Sequence, residues 1–519
     1  RLRPILLLKV EIQAISSSQW AQKMSKLSEK HHIISNSQYG GRKGRQAQSA
    51  VLNKILYYDI NNQFVTDYTI IDEDLKANYD RELCTLSALE ARKAGAPYDA
   101  SVFMINFIKS QEFHVKTKYG VSNTSFGYKD NDPIWGLGQG LAWSGESWKA
   151  ASSTIDQCMK EKCSGMKFVS PDNTVMVNKL MDLYIDDSAQ GCNYTTDGKT
   201  LLEQTEYNLQ LHAQLVYATG GQLALDKCKY YDIRHTFEKG IPRFLNKNEF
   251  ESVLWVQKDF QSEKEMIKLL NFDETHKTLG YFVCPSGNQA DTVKQLSQLA
   301  QKWVTRIQSS SLKDFEILLA YETVLLRQWA YRLPGSALTY DQCDQIMKIV
   351  EPTLINAMHS QRNISRTLLY ASDVYAGMGF KHLYDFAAEE KMKFLAMHIK
   401  RNDTTGKLLR ISMQATQLQV GSELPFYNLS YDTYSSLCTS TWFTNLWSYF
   451  DSRLLSMDMA IGITFQRQRE HDRFIMDLLT PHFTSEILSK INRVRLSMKV
   501  LTLADIVDND GRKLLPGVA

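Results

Sequence analysis

Apolar residues recur with a period of two over several short runs in the first part of the chain, and with a helical period beyond about residue 290. Residues 4–10 form an apolar run, and Ala14, Ile15, Trp20, Met24 and Leu27 follow at helical spacing. Ala50, Val51, Leu52, Ile55 and Leu56 predict a second helix. Residues 64–74 read as a strand ending in acids, 75–80 as its exit turn, and 82–94 as a helix broken by Gly95-Ala96-Pro97. A further helix carries Val102, Phe103, Ile105 and Ile108, and residues 113–122 alternate apolar and basic positions about a glycine turn, as a hairpin does. The glycine-rich loop 133–140 leads into a helix over about 146–160. Val175, Val177, Leu183 and Ile185 then flank a tight hairpin capped by Asp186-Asp187. A long helix over about 201–219 ends at Gly220-Gly221, and residues 222–231 and 278–283 are strand-like. This mixed order predicts an α+β fold, an antiparallel sheet backed by helices. Trp303, Ile307, Leu318, Leu319, Val324, Leu325, Trp329, Met347, Ile355 and Met358 supply apolar helix faces, and Gly377-Met378-Gly379-Phe380 separates them from a last helical region with Trp442, Trp447, Phe450 and Phe474.

Composition narrows the class. With 519 residues, 43% hydrophobic and 23% charged, the chain has material for roughly three or four packed units and is not disordered. The net charge of +3 makes any nucleic-acid surface a local stripe. Eight cysteines lie scattered without CxxC spacing, and Cys158 and Cys163 have no His or Cys pair near them, so reduced thiols in an intracellular protein are expected. No apolar run is long enough to span a bilayer. Asn193-Tyr194-Thr195 reads as an ordinary loop, and an opening at Arg1 without Met reads as a piece of a longer protein.

The adjacent acids change the picture most. Two carboxylates held side by side repel each other, and a divalent cation relieves that repulsion, although Asp-Asp is also plain turn chemistry. Asp74 ends a strand upstream and could meet them. Carboxylates on neighbouring strand ends can hold two Mg²⁺ ions roughly 3.5–4 Å apart, the clamp used in phosphoryl transfer. The basic loop Gly40-Gly41-Arg42-Lys43-Gly44-Arg45 fits phosphate or a solvated turn equally, and Lys116 and Lys118 fit an anionic partner or an ordinary edge hairpin.

Asp74-Leu75-Lys76-Ala77-Asn78-Tyr79-Asp80; Gly136-Leu137-Gly138-Gln139-Gly140 with Ser144 and Trp148; Tyr184-Ile185-Asp186-Asp187; Gly220-Gly221 through Lys227-Cys228; and Leu279-Gly280 follow one another in this order. They resemble the successive motifs of reverse transcriptases, and Arg3-Pro4-Ile5 with Gln38-Tyr39-Gly40 through Gly44-Arg45 resembles the fingers of non-LTR (LINE-like) retroelements. The resemblance covers about residues 1–290. It implies a right-hand polymerase: fingers over 1–65, truncated at the N-terminus, and a palm with fingers insertions over 66–290, followed by an α-helical thumb over 291–400 and a C-terminal helical region over 401–519.

The implied activity is RNA-directed DNA polymerisation, adding deoxynucleotides to a DNA or RNA primer on an RNA or DNA template, with Mg²⁺ or Mn²⁺ and no membrane. By the same resemblance Asp74 and Asp186 ligate both metals and Asp187 supports them. Tyr79 packs against the dNTP sugar and excludes a ribose 2′-hydroxyl, while Gln139 and Gly140 line the nucleotide and template pocket. Lys227 protonates the leaving pyrophosphate; Arg3, Arg42 and Arg45 take triphosphate or template phosphates; Lys43, Lys116 and Lys118 hold nucleic acid. Two departures stand out. Leu141-Ala142-Trp143-Ser144-Gly145 stands where the family usually has Ser-Pro, and the long gap between Asp74 and the acid pair suggests an insertion around 120–135 or 160–175. The alternatives are a catalytically decayed palm that scaffolds RNA and an RNA-dependent RNA polymerase. No endonuclease or RNase H centre is legible.

Overall fold

The computed structural model describes residues 10–76, 78–127, 136–196, 198–259, 261–459 and 462–516. Its centre is a six-stranded sheet made from β1 (Tyr68–Asp74), β2 (Met181–Tyr184), β3 (Asp187–Cys192), β4 (Lys229–Ile233), β5 (Leu254–Val256) and β6 (Glu265–Leu269). The spatial order is β5-β6-β4-β1-β3-β2, antiparallel except where β6 runs parallel to β4. The α+β expectation holds.

β1 is buried on both faces, and its alternation sorts the core. Tyr68 and Ile70 face a cluster built with helix α1 (Ala47–Gln63), while Ile71 faces α2 (Ala142–Lys162) and α3 (Leu201–Ala218). Helix α1 is central rather than superficial, with fourteen of its seventeen residues buried. Thr200 and Glu203 cap α3 reciprocally: the Glu203 N–H donates to Thr200 Oγ1 at 3.2 Å, and the Thr200 N–H donates to Glu203 Oε2 at 2.7 Å. The later part of the chain is helical, as expected. Helices α4 (Ala290–Gln308) and α5 (Tyr340–Ala357) share an apolar cluster with the start of α6 (Leu383–Arg401). Helices α7 (Thr404–Val420) and α8 (Trp442–Ser452) return to cover α1. There the Gln63 amide donates to Thr416 Oγ1 at 2.9 Å, and the Trp442 N–H donates to Asp59 Oδ2 at 2.8 Å.

Several elements differ from the sequence expectation. The strand expected over 64–74 starts at Tyr68, because α1 runs to Gln63 and Val65 takes a left-handed φ of +52°. The helix expected over 146–160 is longer, Ala142–Lys162. Residues 278–283 are not one strand but a hairpin, His276–Thr278 with Tyr281–Val283, since Leu279 and Gly280 both have positive φ. Val177 belongs to a separate two-stranded sheet, Met166–Val169 with Met176–Lys179. Only residues 229–231 of the run 222–231 join the sheet; before them Ala224 donates its N–H to the Asp74 carbonyl at 2.8 Å and Lys227 to the Ala224 carbonyl at 2.8 Å. That turn carries Lys227 to the end of β1.

Lys54 on α1 lies 2% exposed in its side chain against Asp72, and Thr278 Oγ1 accepts from its ammonium at 3.0 Å. Breaking a buried ion pair from one side strands the other charge, at a cost of about 3–5 kcal/mol, whereas an apolar pair of similar size is nearly neutral. Urea unfolding should therefore show a loss of that size for Lys54→Met and recovery of most of it in Lys54→Met/Asp72→Leu. Additive losses would show that the pair is not coupled.

Candidate functional site

The β2–β3 hairpin forms as its pattern predicts, but its turn is Ile185-Asp186, and Asp187 opens β3 opposite Tyr184. Ile185 takes a φ of +59°, a conformation that a β-branched residue adopts under constraint. The constraint is visible on every side. The Trp148 indole on α2 donates to the Ile185 carbonyl at 2.6 Å, and the Ile185 N–H donates to Gln38 Oε1 at 3.1 Å. Residues 37–39 dock on β2, with the Tyr39 N–H donating to the Leu183 carbonyl at 2.8 Å and the Leu183 N–H to the Ser37 carbonyl at 2.8 Å. Gly40 has to be glycine: a Cβ there would lie 2.4 Å from Ile185 Cγ1.

Across the sheet, Asp74 stands opposite Asp187 in register. Asp74 Oδ2 meets Lys227 Nζ at 2.7 Å, and Asp74 lines the same cleft as Asp186 and Asp187. Burial pushes the Asp187 carboxyl up to about 7, with Asp186, Asp74 and Asp72 adding to the rise and Lys227 opposing it. Among the described residues no three His, Cys, Asp or Glu side chains are grouped to hold a metal ion.

The chain after β1 turns through the short helix Asn78–Arg81 and brings Tyr79 back over the acids. Burial raises the Tyr79 phenol, and Asp186 raises it further, with Glu82 and Glu146 adding to it. The Tyr79 carbonyl accepts from the N–H groups of Leu137 and Gly138 at 2.7 and 3.1 Å, and Asp80 accepts from the Gln139 backbone. This approach leaves no room for a Cβ at Gly136, which would sit 2.2 Å from the Tyr79 oxygen. Asp74, Tyr79, Gln139, Asp186, Asp187 and Lys227 thus line one cleft of about 700 Å³.

Other expected residues stand elsewhere. Arg42 is spent inside its own loop: its fork donates to both Glu29 oxygens at 2.6 Å, and to the Ser35 and Gln38 carbonyls at 2.6 and 3.0 Å. It positions the Gln38 turn and does not reach the cleft lining. Arg45 lies 5.3 Å over the Tyr39 ring and donates to Asn36 at 3.2 Å, and Lys43 is exposed. The Gly140 carbonyl accepts from Gln13 at 3.2 Å. Lys116 and Lys118 sit on an exposed hairpin, and Arg3 lies outside the described residues. Sequence reasoning missed Gln38 as the partner of the turn and Lys54 as the partner of Asp72. A lysine inside the apolar run of α1 was the available signal, since lysine is buried only when paired.

No protein-family model matches the chain, and no curated protein matches it. Among solved structures it is similar to telomerase from Candida albicans in complex with the TWJ fragment of telomeric RNA, at 11% identity and a TM-score of 0.31, over 78% of this chain and 54% of that one. The telomerase of Candida tropicalis, with the same kind of RNA fragment, gives 10%, 0.32, 78% and 55%. The chain spans about half the length of those two proteins. Overlap this partial fixes no chemistry. Among the described residues no helix is long and apolar enough to cross a membrane.

An acid whose folded-state pKa is about 7 against an ordinary 3.8 holds its proton better when folded, so its contribution to stability is present at low pH and is lost as pH rises through that window. Asp187→Asn should therefore unfold at a higher temperature than the wild type at pH 8 and at nearly the same temperature at pH 4. A pH-independent difference would show that the Asp187 carboxyl is not held protonated by its burial among the acids.

Proposed function

We propose that the chain binds RNA through a polymerase-type palm and that the acid-lined cleft is the nucleotide site of that palm. Of the two forms such a palm takes, the RNA-binding scaffold with a silent cleft is the better supported. The observation that carries it is the ion pair between Lys227 and Asp74, which occupies the carboxylate a metal would need, with no ready set of three acids beside it among the described residues.

The second reading, an RNA-directed DNA polymerase of the LINE-like kind, is favoured by a different observation. Residues up to 153 positions apart, Asp74 to Lys227, line one cleft together with Tyr79, Gln139, Asp186 and Asp187. The donors there are hard carboxylate oxygens, which fit Mg²⁺ or Mn²⁺ once Lys227 leaves Asp74. When bound, such ions supply charge neutralisation at the phosphoryl oxygens. The chain's own part in this reading is to position and to move one proton. Tyr79, anchored through its carbonyl, packs on the dNTP sugar and excludes a 2′-hydroxyl; Gln139 walls the pocket; Lys227 protonates the leaving pyrophosphate. Asp74 and Asp186 would be the metal ligands and Asp187 their support. Division into fingers, palm, thumb and C-terminal region near residues 65, 290 and 400, with template, primer and dNTPs as ligands, belongs to the same proposal.

Primer extension on poly(rA)/oligo(dT) with Mg²⁺ or Mn²⁺, run beside an RNA-binding assay on the wild type and Asp186→Asn, separates the readings. The scaffold predicts equal RNA binding by both proteins and no dTTP incorporation by either. Incorporation by the wild type that is lost in Asp186→Asn would establish the polymerase. A preference for ribonucleotides would move it to the RNA-dependent RNA polymerases, and absence of RNA binding would overturn both readings.

A further inference from the structure

The hairpin Glu112–Thr117 with Gly120–Gly127 is the element that the protein's own packing explains least. Among the described residues its strands pair only with each other, from Glu112↔Gly127 to Thr117↔Gly120, with a bulge between His114 and Lys116, and join no other sheet. A lone two-stranded ribbon is marginal in water. This one is also open to solvent along its length, with Val115 and Val121 each more than half exposed. Tyr119 at the tip is 87% exposed. The Lys118 ammonium lies 4.7 Å from the centre of its ring, and Lys116 is exposed. Neither lysine has a carboxylate partner among the described residues, and no acid occurs between Phe113 and Gly127.

We propose that this hairpin is an arm for single-stranded RNA, in which Tyr119 stacks on an unpaired base while Lys116 and Lys118 hold the flanking phosphates. The inference rests on the RNA-binding reading above and assigns that binding a second surface, separate from the cleft. A bare aromatic backed by a cation is what an unpaired base accepts, because every base offers a π-face, whereas a duplex keeps its bases stacked and presents only phosphate and groove. A lipid surface fits less well. The return strand carries Ser122, Asn123, Thr124 and Ser125, too polar to bury an apolar face.

Fluorescence anisotropy with a labelled oligo(rU) and with a blunt RNA duplex tests it on the full chain. Tyr119→Ala should weaken oligo(rU) binding about 5- to 100-fold, leave duplex binding unchanged and be rescued by Tyr119→Phe. Lys116→Ala/Lys118→Ala should flatten the logarithmic salt dependence of oligo(rU) binding by about 1.4. If the wild type binds oligo(rU) and Tyr119→Ala binds it equally, the arm is not the site, and the RNA-binding reading stands without it. If the wild type binds no RNA, both fall. Tyr119-dependent binding to phosphatidylserine vesicles, without a Tyr119 effect on RNA, would assign the hairpin to lipid and overturn the proposal.

Discussion

Three consecutive acids, Asp72, Glu73 and Asp74, end the central strand, and the fold gives each its own polar partner. Strand alternation sends Asp72 and Asp74 to one face and Glu73 to the other. Lys54 on α1 takes Asp72; the His212 ring nitrogen on α3 lies 2.6 Å from Glu73, which also accepts from Ser188 at 2.8 Å; Lys227 takes Asp74. An unpartnered charge at the depth of Asp72 or Glu73 costs several kcal/mol, whereas Asp74 and Lys227 are partly exposed. The helices on both faces of the sheet are therefore fixed to β1 by polar side-chain contacts as well as by apolar packing. Asp187 has only the Lys227 already paired with Asp74 to oppose it, and burial first, then the neighbouring acids, keep its pKa raised.

A site of this kind works only if its turn is stiff. The Asp186-bearing turn is held from α2 by Trp148, from the N-terminal loop by Gln38, and by contact with Gly40, and the loop itself is braced by Arg42 on Glu29. These residues decide where the carboxylates stand. The cleft is thus assembled from stretches far apart in the chain, around Asp74, Gln139 and Asp186, with Lys227 brought in by a turn that hangs from the Asp74 carbonyl.

Much of this was legible in the sequence, and the failures have physical causes. Period-two runs bounded by turn residues revealed the acid hairpin, because that signal is local, whereas Tyr79 was singled out through the motif resemblance. The glycines and cations around Arg42 suggested phosphate; its partner in the structure, Glu29, is invisible to periodicity. The single strand expected over 278–283 failed because Leu279 accepts a left-handed φ beside Gly280, which apolar composition does not announce. Lys54 and His212 are partners set by tertiary packing, and only their burial reveals them.

Lys227 is held to stand on Asp74 where a divalent cation would, and Mn²⁺ binding followed by electron paramagnetic resonance reads this most directly. Removing the ammonium by Lys227→Ala should make the cleft bind Mn²⁺ more tightly than the wild type, by several-fold at low salt, and adding Asp74→Asn should cancel the gain. Equal or weaker Mn²⁺ binding by Lys227→Ala would contradict the exchange of lysine for metal on which both functional readings turn.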